Sequence, residues 1–90
     1  MNQHDIKQNL TQLFSPSFID VVDDSHKHAG HRGTHHTSNT HFTVTIVSDF
    51  FNDMPLIKRH RHVNDALKDA FSHQLHALKI IAKTPSEWHE

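Results

Sequence analysis

Between Asp24 and Thr40 the chain runs through SHKHAGHRGTHHTSN, fifteen residues without one large apolar side chain. Nothing in that stretch can contribute to a core. The fold has to be assembled from the residues on either side of it, and the two arms have to meet across it. Both glycines of the protein lie within it. A loop of that length is uncommon unless it is functional or disordered. The supply of apolar side chains elsewhere is thin, at 34% of ninety residues. A chain of this size buries only about 60% of its unfolded surface or slightly more. It predicts one small domain, residues 1–90, without the mass for a deep catalytic cleft.

The flanking arms carry clear periodicities. Ile6, Leu10, Leu13 and Phe14 repeat at i, i+4, i+7 and i+8, which predicts a helix with one apolar face. Asn2 is placed to cap it and Asp5 to sit in its first turn. Pro16 disfavours helical backbone at Ser15 and ends it. Phe18–Asp24 reads as a short strand. His41–Val47 alternates, with Phe42, Val44 and Ile46 on the buried side, and pairs with the first strand as an antiparallel hairpin. After a turn over Ser48–Asp53, Asp53 and Pro55 mark a helix start. Its expected apolar stripe is Leu56, Val63, Leu67, Ala70 and Phe71, with His60 on it as a structural histidine. The opposite face would carry Lys58, Arg59, Arg61, His62, Asp65 and Lys68. Leu75–Ala82 predicts a third strand, buried through Leu78, Ile80 and Ala82 and parallel to the second. Thr84-Pro85-Ser86-Glu87 reads as a capping box with proline at the first helical position, opening a last short helix that Trp88 packs on the sheet. The expected fold class is α/β, in the order α-β-β-α-β-α, with a three-stranded mixed sheet and helices on one face.

The absence of cysteine removes disulfide scaffolds, Cys-based zinc sites and thiol nucleophiles. Catalysis has little support. Asp23 and Asp24 are adjacent on a strand and point to opposite faces, and no serine sits in a GxSxG elbow. The expectation is no enzyme. No apolar run approaches the ~20 residues of a membrane span. MNQHDIKQNL shows neither a basic nor an apolar leader segment. A soluble, cytoplasmic protein is expected.

Twelve histidines stand out, and five of them (His26, His28, His31, His35 and His36) fall within eleven residues. Neutral imidazoles at such spacing suit zinc, copper or iron. A structural zinc site, however, needs a full tetrahedral set on rigid elements. The alternative is solvated surface histidines. With half of the imidazoles charged, net charge rises from −1 to about +5 near pH 6.5. Gly30-His31-Arg32-Gly33 matches the GxxG nucleic-acid clamp, but lies between strands instead of helices. Lys58-Arg59-His60-Arg61-His62 is a basic run that reads either as a solvated face or as an anion or partner-docking patch.

Taken together, Asp24-Ser25-His26-Lys27-His28-Ala29-Gly30-His31, Thr40-His41-Phe42, Ile46-Val47-Ser48-Asp49, Arg59-His60-Arg61-x-Val63-Asn64, His76-Ala77-Leu78 and Thr84-Pro85-x-Glu87-Trp88 resemble the BolA family. The likeness runs from about residue 5 to residue 88. It implies the BolA variant of the type II KH-like fold. It also implies an adaptor that partners a monothiol glutaredoxin and shares a bridging [2Fe–2S] cluster, in cluster delivery or iron homeostasis. The glutaredoxin side brings a cysteine thiolate and a glutathione thiolate. This side brings His76 and a loop ligand, His28 by alignment, with His31 or His26 as alternatives. The isolated chain is expected to hold no cofactor and to be a monomer or weak homodimer. Some family members are described as DNA-binding regulators of transcription. Lys58, Arg59 and Arg61 are then the expected contacts to the partner or to DNA. A pI near 6.9 sits below the basic range usual for a DNA module. The extra His35 and His36, and Phe50-Phe51-Asn52-Asp53 where many members have a glycine, depart from the family pattern.

Overall fold

A computed structural model describes residues 2–24, 41–71 and 77–88; the side chains of Phe71 and Ala77 are not described. The polar segment 25–39 with its five clustered histidines and its GxxG run, and His76, fall outside these residues. The elements are α1 (Gln3–Phe14), β1 (Phe18–Asp23), β2 (His41–Val47), a 3₁₀ turn (Asp49–Phe51), α2 (Leu56–Phe71), β3 (Ala77–Lys83) and a second 3₁₀ turn (Pro85–Glu87).

Asn2 caps α1 as its sequence position demands, its side chain accepting from the Asp5 N–H at 2.9 Å. Ile6, Leu10 and Phe14 are its buried line, while Leu13 is 55% exposed. The helix ends where proline requires. Ser15 turns into the left-handed region at φ 45° and returns its N–H to the Thr11 carbonyl. Ser48 then ties this end to the sheet. Its buried hydroxyl donates to the Phe14 carbonyl at 2.6 Å and accepts from the Phe50 N–H at 3.0 Å.

The sheet order is β1-β2-β3, with β2 antiparallel to β1 and parallel to β3. Val21, Val44, Ile46, Ile80 and Ala82 share the inner face with Phe42. Both helices cover that face with Ile6, Leu10, Val63 and Leu67. Each such large side chain, fully buried, contributes about 1.5–3 kcal/mol. On the outer face Trp88 stacks on Phe18, with ring centroids 5.0 Å apart, beside Val47, the register partner of Phe18.

Two expectations are corrected. The buried line of α2 is Arg59, Val63 and Leu67, one residue out of phase with the stripe drawn from Leu56 and His60. Leu56 is 63% exposed, and His60 and Ala70 are exposed too. The closing helix is a single 3₁₀ turn, although its capping box is present as read. Among the described residues β3 begins at Ala77 and extends to Lys83, one residue past the expected end.

Candidate functional site

The two ends of the sheet differ in what they gather. At one end β1 finishes, β2 begins and β3 begins. The Asp24 N–H donates to the His41 carbonyl at 2.8 Å, closing the hairpin ladder. His41 and Ala77 are register partners across the parallel pair. Thr43 donates its hydroxyl to the Asp24 carboxylate, and His41 is half-buried. The segment carrying His26, His28 and His31 leaves the sheet after Asp24 and rejoins it at His41. His76 immediately precedes Ala77. Strand register thus brings the attachment points of both expected ligands to one sheet end. The positions of His28, His31 and His76 themselves lie outside the described residues. Among the described residues, no three His, Asp or Glu side chains gather closely enough to hold a metal ion.

At the opposite end the chain is locked onto itself. Arg59 is only 6% exposed, and three acceptor groups surround its guanidinium. Its Nε donates to the Met54 carbonyl at 2.8 Å and its Nη1 to the Ala82 carbonyl at 3.1 Å. Both terminal nitrogens pair with the Glu87 carboxylate, at 2.7 and 3.2 Å. That carboxylate also accepts from the Thr84 N–H at 2.9 Å, which is the return arm of the capping box. Hydrogen bonds from Arg59, then from the Thr84 backbone, lower the Glu87 pKa from 4.5 to about 2. A forked, permanently charged guanidinium suits this bidentate role in a way lysine could not. Here the expectation for Arg59 is corrected: it is not on an exposed basic face, because its donors are used inside the fold. Lys58 and Arg61 are exposed as expected. So is His62, whose ring stands edge-on to Phe50 at 5.1 Å.

The Arg59–Glu87 lock escaped the sequence reading. A signal for it exists: Arg59 stands four and eight residues before the buried Val63 and Leu67, on their helical line. Charge alone placed it outside.

The comparisons agree with this frame. The family model for BolA-like protein matches residues 10–87. Among curated relatives, Protein BOLA1, chloroplastic, of Arabidopsis thaliana is 42% identical over 84 residues, covering 91% of this chain and 52% of its own length. The DNA-binding transcriptional regulator BolA of Vibrio cholerae is 38% identical, covering 100% of this chain and 81% of its own. The chain spans only 23%, 52% and 59% of the first three curated relatives. The solved structure of BolA1 from Arabidopsis thaliana superposes with a TM-score of 0.83 at 38% identity, covering 99% of this chain and 97% of that one. Among the described residues no helix is long and apolar enough to cross a membrane. A family match over most of the chain and a shared fold lead to one conclusion: this chain belongs to the BolA-like family.

Proposed function

We propose that this protein is an adaptor. It docks a monothiol glutaredoxin and completes with it a bridging [2Fe–2S] cluster, in cluster trafficking or iron regulation. The observation that carries the reading is the meeting of the three strand ends at Asp24, His41 and Ala77. The residues that flank the His28 segment, Asp24 and His41, lie beside Ala77, the residue that follows His76 in sequence. The donor chemistry fits. Without cysteine, the chain can offer iron no thiolate of its own, and imidazole nitrogen is the donor it carries in abundance. Two neutral imidazoles complete what two thiolates from the partner and glutathione begin. When bound, the cluster supplies a transferable or reducible iron centre whose potential is raised by histidine in place of cysteine. His76 is the fixed ligand in this reading. His28 is the loop ligand, with His31 as its substitute. Lys58 and Arg61 remain available for docking, and the protein acts in the cytoplasm.

The name of the Vibrio cholerae relative favours a second reading, a DNA-binding regulator. The exposed Lys58 and Arg61, with imidazoles charging below neutrality, would supply the phosphate contacts. DNA affinity would then strengthen from pH 7.5 to about 6 and fall steeply with salt. One experiment separates the two. The protein is co-expressed with a monothiol glutaredoxin and the visible spectrum of the purified mixture is taken. Charge-transfer bands in the complex and not in this protein alone support the adaptor. A colourless complex that binds DNA supports the regulator.

A further inference from the structure

Among the described residues β3 is paired on one side only. Two hydrogen bonds tell which of its backbone groups face the open side. The Lys83 carbonyl accepts from the Ser48 N–H at 3.0 Å, just past the end of β2, so it faces the sheet. The preceding carbonyl, of Ala82, accepts from the Arg59 side chain, so it faces away from β2. Backbone direction alternates along a strand in a ladder. Leu78 and Ile80 therefore turn both N–H and C=O to the open side, and Ala82 turns its N–H there. Such an edge is a template for another strand. At the far edge of the sheet, by contrast, the Gln3 side chain already donates to the Val21 carbonyl at 2.9 Å.

A hollow of about 600 Å³ runs beside the open edge of β3. Met54, Pro55, Leu56 and His60 form one wall, and Ile80 and Ile81 the other. Leu56, at 63% exposed, is an apolar side chain left largely uncovered among the described residues. On the outer face Lys79 and Lys83 flank Ile81 at two-residue spacing. The acid lining the hollow, Glu87, is committed to Arg59, and Asp53 lines an adjoining polar hollow. The free charge along the strand is positive.

We propose that this edge takes up an extended segment of a partner protein in which acidic and apolar residues alternate. The segment adds as a fourth strand to Leu78, Ile80 and Ala82. Its apolar side chains lie against Leu56 and Met54, and its carboxylates lie on Lys79 and Lys83. Strand addition draws affinity from backbone hydrogen bonds and specificity from alternate side chains. Opposite charge selects an acidic segment. A second copy of β3 would instead bring two more lysines onto the same face, where like charges repel. The docking does not depend on the cluster reading, because it uses no histidine ligand.

The test uses a fluorescein-labelled heptapeptide alternating Glu and Val, with a Lys/Val peptide and a single-stranded oligonucleotide as controls. Binding is read by anisotropy, and amide exchange is followed by NMR on the full chain. The Glu/Val peptide should bind and slow exchange at Ile80 and Ala82, while Lys79, Ile81 and Lys83 change little. Lys79→Glu, an exposed position, should weaken binding about threefold with an unchanged far-UV spectrum. The proposal is overturned if the acidic peptide does not bind, if the Lys/Val peptide binds equally, or if the oligonucleotide alone protects these amides. It is also overturned if Ile80 becomes protected in the free protein as concentration rises, since a second copy is then the occupant.

Discussion

The sheet has one end that is held and one end that is offered. At the held end Arg59, Glu87 and Thr84 satisfy one another and the Met54 and Ala82 carbonyls. The closing turn is thereby welded to α2 and β3. The contacts at the offered end include ladder hydrogen bonds and a Thr43–Asp24 pair, and the ends of the histidine-bearing segment, Asp24 and His41, lie there. The same motif string, RHRxVN through HAL to TPxEW, thus divides its labour. Arg59 and Glu87 serve the fold, while in the proposed function His76 is the cluster ligand. A motif that identifies a family does not make each of its residues a contact residue.

The largest effect should come from breaking the held end. Arg59→Ala leaves the Met54 and Ala82 carbonyls without this donor and the Glu87 carboxylate without its charged partner, with the Thr84 N–H still donating to it. It should cost about 2–3 kcal/mol in a urea titration, and a folded fraction should still join the glutaredoxin complex. Arg59→Lys should rescue only part of this loss, because an ammonium cannot make the forked pair. A more limited effect is expected at the offered end. His28→Ala should keep a weaker, more labile histidine-ligated spectrum, since His31 can substitute; complete loss would make His28 irreplaceable.

Acid should sharpen the contrast further. The folded pKa of Glu87 is about 2 against 4.5 for a free glutamate. Its contribution is therefore fully present above about pH 4.5 and is lost as pH falls toward 2. In thermal melts across that window, Glu87→Gln should flatten the part of the acid destabilisation that this pair causes. If the melting curves of wild type and variant keep the same separation from pH 5 to pH 2, the pair does not carry that dependence. Smallest of all should be the exposed basic residues. Lys58→Glu with Arg61→Glu should weaken docking of apo glutaredoxin several-fold at low salt and hardly at all at high salt. A titration calorimeter run at two ionic strengths checks it.

Much of this architecture is written in local pattern. The alternation of Phe42, Val44 and Ile46 is the buried face of β2; β1 pairs with it as the expected hairpin and β3 lies parallel to it as a right-handed crossover implies. Asn2 and the Thr84–Glu87 box act where their spacing puts them. The phase of α2 was not legible in the same way. A hydropathy stripe treats Arg59 as surface, and the partner that makes its burial tolerable lies 28 residues away in sequence. The same hydropathy stripe draws Leu56 inward, although it is 63% exposed, and the groove it borders depends on the open edge of β3, which no helical pattern reports. For the candidate site, composition marked imidazole-rich chemistry without choosing among His26, His28 and His31. The choice of His28 and His76 came from the family resemblance.

The central claim is that the offered end ligates through His76. Its most direct test is visible circular dichroism of His76→Ala mixed with cluster-loaded glutaredoxin, beside the wild type. The histidine-ligated bands should vanish, while binding of the apo partner persists in a parallel titration. A His76→Ala complex with bands identical to wild type would contradict the assignment.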